Sequence, residues 1–447
     1  MPLDRLTPVL NQVVGDLQAQ GRRKGHEAVV VEIVPAQGEQ GPRYRLAGHG
    51  EQLFIRMNSN SYLGLAQHPA LKKAEEEAIR RFGVGPGAVR FISGTYAPHV
   101  ELEGRLARFH AREAVKSRQA PGEAGTPVKG RQAPGEAGTQ AMIFSSAYAT
   151  VLSVVVPLVT PETALISDEL NHNCIINAIR LARPKEKYVY RHLDLGQLEA
   201  ALQKAASVGA ARALVITDGI FSMRGSHAPL PQILELVRRY DHHFPENALL
   251  IVDDSHGVGA FGATGRGTEE YTKAQADILV GTLGKAFGVN GGYVVGPADL
   301  IAYLRETSPM YIYSNPITPG EAAAALAALE LVESPEGQSR LAHLHSMTRR
   351  FREGLLRLGY ESFPGAHPVV PLVLRDGERT GRLVRFLREH GVLATAIVYP
   401  VVPRGEESIR FQVSAEHTQA DIDQVLVLLE RFRALGSRAV FPGPVGG

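Results

Sequence analysis

Between residues 141 and 296, short apolar runs alternate with stretches of helical period, and few folds accommodate that order. The runs fall at 141–145, 164–167, 187–191, 213–218, 248–253, 277–281 and 292–296. Helical patterns at 174–183, 196–206 and 229–240 lie between several of them. Such alternation predicts an α/β domain built on a mostly parallel sheet. After about residue 315 the pattern changes to long helices at 319–333 and 337–358, then shorter strands and a last helix at 418–434. That part reads as a smaller C-terminal α+β domain. The expected division is an N-terminal helix and arm (1–57), a large α/β domain (58–315) and the C-terminal domain (316–447). A chain of 447 residues is long enough for all three.

In open α/β sheets ligands bind outside the carboxyl ends of the strands. Two consecutive runs place chemistry there. Leu249-Leu250-Ile251-Val252 leads into Asp253-Asp254-Ser255-His256, and Asp277-Ile278-Leu279-Val280 leads into Gly281-Thr282-Leu283-Gly284-Lys285. An amine at the end of a buried strand loses proton affinity, so it can form an imine and later act as a base. A lysine for the Schiff base and a carboxylate for the pyridinium nitrogen are what pyridoxal phosphate (PLP) chemistry uses. Asp253 and Asp254 are both candidates for the carboxylate, because strand alternation sends them to opposite faces. His256 can hydrogen-bond the phenolic oxygen of the cofactor. His172, after another strand end in Asp168-Glu169-Leu170-Asn171-His172, can stack on its ring. Ser145-Ser146-Ala147-Tyr148 lies between a strand and a helix, where backbone N–H groups bind phosphate. Thr282 offers a hydroxyl to the same phosphate, and Ser222 closes another strand end at the same edge.

Other features exclude whole classes of function. The formal charge is +2 with acids and bases mixed, which leaves no electrostatic footprint for nucleic acid. Cys174 is the single cysteine, so no internal disulfide forms and a reducing compartment is expected. The longest apolar stretch, Val151 to Val159, is interrupted by Ser153 and Pro157 and is too short to span a bilayer. The N-terminus carries Asp4 and Asp16 and reads as an amphipathic helix with Leu6, Leu10, Val13 and Leu17 on one face. The expectation is a soluble, cytoplasmic protein with no metal site. The segment VKSRQAPGEAGTP (115–127) is followed by VKGRQAPGEAGTQ (128–140), a near-perfect tandem repeat with almost nothing to bury. Its composition predicts a flexible surface insertion over 115–140.

Taken together, the motifs resemble the PLP-dependent α-oxoamine synthases. The resemblance covers about residues 50 to 435 apart from the insertion. Its carriers are NSNSYLGL (58–65), VRFISGTYAPHVELE (89–103), SDELNH (167–172), TDGIFSM (217–223), VDDSHGVGAFGATGRG (252–267), GTLGKAFG (281–288) and YPVVPRGEESIRFQVSAEHT (399–418). Within the family, Val89 to Thr95 and Tyr399 to Arg410 look most like glycine C-acetyltransferase. Departures are a longer N-terminal stretch, Arg224 in place of the acid common after Phe-Ser-Met, and Tyr148 where phenylalanine is frequent.

The resemblance implies a PLP fold-type I large domain, like that of aspartate aminotransferase, and a homodimer with shared active sites. Lys285 then matches the Schiff-base lysine and Asp253, the first of the Asp pair, the pyridinium partner. His256 matches the phenolate contact, His172 the stacking ring, Ala147 and Tyr148 the phosphate cradle, and Ser222 the residue near the phenolic oxygen. Asn60 and Arg410 resemble the pair that holds the amino-acid carboxylate, a task suited to a planar guanidinium. Ser314 matches a phosphate contact donated by the neighbouring subunit. The implied reaction condenses a small amino acid with an acyl-CoA: Lys285 removes the Cα proton, Cα attacks the thioester, and CoA leaves. Glycine and acetyl-CoA are the favoured pair. An 8-amino-7-oxononanoate synthase-type or longer-chain decarboxylating enzyme is the alternative within the class. Further away stand a PLP aminotransferase or aldolase and a non-catalytic partner subunit, against which intact Lys285, Asp253 and His172 argue.

Overall fold

A seven-stranded sheet forms the centre of the computed structural model, which describes residues 3–19, 27–110, 138–399 and 402–437. Its strands run in the spatial order Thr139–Phe144, Gly292–Pro297, Ile278–Thr282, Ala248–Asp253, Arg212–Asp218, Thr163–Asp168, Glu186–Tyr190. The pairs from Ile278–Thr282 through to Glu186–Tyr190 are parallel. Gly292–Pro297 alone is antiparallel to both of its neighbours. Central strands read as continuous apolar runs because helices cover both faces. Leu214, Val215, Leu250, Val252, Leu279 and Val280 are accordingly fully buried. Every strand read from the sequence is present, with ends shifted by no more than two residues.

The described chain divides into two compact units: Asn60–Ser346 with Pro364–Pro368, and the remainder. The larger unit carries the central sheet. Its limits differ from a boundary at 315, because the helix Pro319–Glu333 falls within it. That helix buries Ala322, Ala324, Ala325, Ala328 and Leu329. A Cβ on its Gly320 would stand 3.1 Å from Glu75 Cγ, so it lies closely against the helix Pro69–Phe82. Small side chains permit that approach, and they tie the helix to the larger unit. The smaller unit holds a four-stranded sheet (Val30–Val34, Arg43–Leu46, Leu53–Arg56, Val392–Leu393) and a three-stranded one (Val369–Val373, Ser408–Gln412, Thr395–Ile397). The N-terminal helix spans Leu6–Ala19 and has no buried residue. No helix among the described residues is long and apolar enough to cross a membrane.

The expected insertion needs one correction. Residues 115–137 lie outside the described residues, but the end of the second repeat is strand. Thr139 and Gln140 pair with Pro297 and Gly296, and the Gly138 carbonyl accepts the Ala298 amide at 2.7 Å. The repeat's composition hid two residues that complete an edge strand. Deletion of 115–137 should therefore leave soluble, folded protein, since loop length carries a small free-energy cost. Extending the deletion through Gln140 should lower the thermal midpoint measurably, and equal midpoints for the two deletions would refute the pairing.

Candidate active site

Five strand ends of the larger unit converge on one cleft. Ala248–Asp253 supplies Asp253, Ser255 and His256, and the loop after Ile278–Thr282 supplies Lys285. Arg212–Asp218 supplies Asp218, Ile220 and Ser222. His172 and Cys174 come from the start of the helix Asn173–Ala182, and Ala147 and Tyr148 from the start of Ala147–Leu158. The structure thus brings together Lys285, Asp253, His256, His172, Ser222, Ala147 and Tyr148, all read as site residues from the sequence.

Of the two carboxylates, only Asp253 lines the cleft. Its Oδ1 accepts the Ser255 amide at 3.0 Å, and its Oδ2 lies 3.7 Å from Cys174 Sγ. Asp254 points the other way and is fully buried, accepting Thr268 N and Thr268 Oγ1, each at 2.6 Å. Three glycines make room for it. A Cβ on Gly219, Gly257 or Gly267 would come within 2.3, 2.2 and 2.0 Å of its oxygens. Burial pushes the Asp254 carboxyl up to about 7, against an ordinary 3.8, and neighbouring Glu269 and Asp253 add to the rise. A raised folded-state value means that the folded chain holds this proton more firmly than the unfolded chain. Its contribution to stability therefore falls as pH rises from about 4 to about 7. Asp254→Asn should flatten that slope in thermal unfolding measured at pH 5 and pH 8, and should leave cofactor binding intact.

Asp218 sits beside Asp253, its register partner on the adjacent parallel strand. It accepts the His172 amide at 3.0 Å. Burial, and then the charge of Asp253, raise its carboxyl well above the ordinary range. Burial followed by the same two carboxylates also raises the Cys174 thiol. His172 Nδ1 accepts the Cys174 amide at 3.3 Å, which fixes the ring at the helix start. The Tyr148 hydroxyl donates to Asn173 Oδ1 at 3.1 Å and accepts Asn177 Nδ2 at 2.5 Å, tying the two helix N-termini together.

These residues fit PLP. The helix Ala147–Leu158 is capped by Ser146, whose Oγ accepts Ala149 N at 3.1 Å. A Cβ on Gly292 would stand 2.3 Å from Ala147 N, so glycine there keeps the backbone close to the helix start. A helix N-terminus of this kind receives phosphate. Ser255 Oγ is buried in the cleft wall with no hydrogen-bond partner among the described residues. Such a hydroxyl calls for a polar ligand.

Other expected residues stand outside the cleft lining. Thr282 Oγ1 donates to Gly291 O and accepts Gly284 N, both at 3.1 Å, so it braces the lysine loop. Ser314 follows the short helix Pro309–Ile312 and is half-buried. Asn60 falls in the larger unit and Arg410, on the strand Ser408–Gln412, in the smaller. Sequence reasoning assigned no role to Asp218, Cys174, Ile220 or Ser255. A two-residue step was the available signal: Ser255 follows Asp253 and Cys174 follows His172 at that spacing. No group of three or more His, Cys, Asp or Glu among the described residues is placed to hold a metal.

Comparison with known proteins bears on the family and the fold. The family model for aminotransferase class I and II matches residues 53–429. The 8-amino-7-oxononanoate synthase of Thermosipho melanesiensis is 37% identical over 386 residues, covering 86% of this chain and 88% of that protein. The human mitochondrial 2-amino-3-ketobutyrate coenzyme A ligase is 37% identical over 388 residues, covering 86% and 84%. Among solved structures, the serine palmitoyltransferase of Sphingomonas wittichii superposes with a TM-score of 0.81 at 25% identity, covering 97% of this chain and 99% of that one.

Proposed function

Because the chain belongs to the class I and II aminotransferase family, and within it to the PLP-dependent α-oxoamine synthases, we propose that it joins glycine to acetyl-CoA and releases CoA. The observation that carries this reading is the single cleft in which Lys285, Asp253, His172 and His256 meet. When bound there, PLP supplies an electron sink for the bonding pair left at Cα. Lys285 would hold the cofactor, and its Nζ would take the Cα proton. Asp253 keeps the ring nitrogen protonated. His256, with Ser222, would hold the phenolic oxygen, and His172 would hold the ring. The N–H groups at Ala147 and Tyr148 hold the phosphate, joined by Thr282 and, from a second copy of the chain, Ser314.

A homodimer is part of this reading. Val84, Phe91, Ile92 and Tyr313 are exposed by 75, 64, 67 and 81%. Apolar side chains of that size are what a partner subunit covers. Sedimentation at micromolar concentration tests it, and a monomer would remove Ser314 from the site.

Asn60 and Arg410 are assigned to the amino-acid carboxylate. Losing one member of a buried charge pair costs about 3–5 kcal/mol, and less where water enters. Arg410→Ala should raise the amino-acid KM by roughly tenfold to a thousandfold, at 1.4 kcal/mol per decade. Arg410→Lys should recover only part, because an ammonium lacks the bidentate fork. Unchanged affinity in Arg410→Ala would move the carboxylate site elsewhere.

A second reading has equal support in identity: an 8-amino-7-oxononanoate synthase-type enzyme taking alanine and a pimeloyl thioester, with loss of the carboxylate. The deciding experiment measures CoA release from glycine, alanine and serine, each against acetyl-, pimeloyl- and palmitoyl-CoA. Turnover confined to alanine with pimeloyl-CoA would replace the first reading by the second, and no CoA release with any pair would remove both.

A further inference from the structure

The cofactor reading gives no task to a fully buried tyrosine at the edge of the site. The Tyr62 hydroxyl lies 2.7 Å from Nδ1 of His256, and His256 lines the cleft. Tyr62 is braced by a second histidine. Its ring packs edge-on against His367, with centroids 5.3 Å apart at 81°. His367 is itself buried, and its Nε2 donates to the His256 carbonyl at 2.9 Å. Four residues along the chain from Tyr62, Ala66 N would stand 2.4 Å from a Cβ on Gly288. The lysine loop therefore lies directly against the chain that follows Tyr62.

Which nitrogen of an imidazole carries the proton is set by the hydrogen bond that the other nitrogen makes. A phenol has its proton on oxygen at neutral pH and donates it to a basic ring nitrogen. We propose that Tyr62 is a positioning residue: its hydroxyl donates to Nδ1 and holds His256 as the Nε2–H tautomer, so that the cleft is offered a donor. The inference rests on the reading that the cleft binds PLP, whose electron-rich phenolic oxygen needs a donor at that place. In the opposite tautomer the Nε2 lone pair would meet that oxygen and repel it.

Tyr62→Phe keeps the ring and removes only the hydroxyl. The measurement is the pair of ring-nitrogen resonances of His256 in ¹⁵N-histidine-labelled protein, identified by their loss in His256→Gln and recorded with and without PLP. Wild type should show Nε2–H in both states, and Tyr62→Phe should show a mixture of tautomers. PLP titrated into apoprotein should bind roughly tenfold more weakly to Tyr62→Phe, the size of one lost buried hydrogen bond. The amino-acid KM should move less than kcat. General loosening of the site would weaken PLP without selecting a tautomer, so the nitrogen signal separates the two causes. An Nδ1–H tautomer in wild type would overturn the proposal whether or not the variant folds, as would an unchanged tautomer in Tyr62→Phe. Failure of wild-type chain to bind PLP would instead overturn the cofactor reading itself.

Discussion

Lys285→Ala should give a colourless protein that releases CoA at least about a thousandfold more slowly than wild type, the scale seen when a covalent catalytic group is removed. Wild type should be yellow, and borohydride should fix its PLP to the chain irreversibly. The variant should show neither property. The structure explains why the fold should survive the change. Lys285 is half-buried at the cleft, in a loop whose position is set by other residues. Thr282 bonds both Gly284 and Gly291, and the Val289 amide donates to the Leu283 carbonyl at 3.0 Å. Gly288 at φ 72° lets the loop close against Ala66, where a side chain would collide. An alanine at 285 leaves all of these contacts in place. Thermal midpoints of variant and wild type, both stripped of PLP, should therefore agree within a few degrees. A borohydride-stable adduct persisting in Lys285→Ala would assign the anchoring amine to another lysine.

How far the sequence reveals such a site depends on what each residue's position is set by. Lys285, Asp253 and His256 were legible because each ends an apolar run, and strand ends share one edge. The strand ladders placed those runs side by side as that rule requires. The choice between Asp253 and Asp254 was not legible from alternation, which separates the two without saying which face holds the ligand. Gly219, Gly257 and Gly267 leave a cage for Asp254 on the far side, so Asp253 is the one that lines the cleft. Asp218 also closes a strand, but its pairing with Asp253 exists only once the register is fixed. Thr139 and Gln140 were misread for the opposite reason. Their neighbours in the repeat dominate the local composition, while the pairing that makes them strand comes from residues 296 and 297. The helix Pro319–Glu333 was read with its ends correct, yet its allegiance to the larger unit depends on small residues that pack all round it.

The pairing of the two carboxylates leads to the second large effect. Asp253→Asn should lower kcat by roughly a hundredfold to a thousandfold, the usual loss when a fixed charge that stabilises the transition state is removed. It should leave PLP attached, because Lys285 and the phosphate cradle are untouched. Asparagine keeps the shape and can still accept the Ser255 amide, so the loss should lie in kcat far more than in amino-acid KM. Asp218 is the obvious substitute. Its carboxyl is held high first by burial and only then by Asp253, so removing Asp253 relieves the lesser cause and leaves the greater. Burial, the larger cause, would keep the Asp218 carboxyl raised in Asp253→Asn, so Asp218 should not rescue it. Asp218→Asn should cost much less on its own, because an asparagine oxygen can still accept the His172 amide. The double variant should be close to Asp253→Asn rather than to the product of both losses, because residues acting as a unit are not additive. The measurement is kcat and KM for the amino acid in all four proteins, with the visible absorbance recorded for each. A larger loss in Asp218→Asn than in Asp253→Asn would make Asp218 the partner of the ring nitrogen. The resemblance that selected Asp253 would then have pointed to the wrong strand.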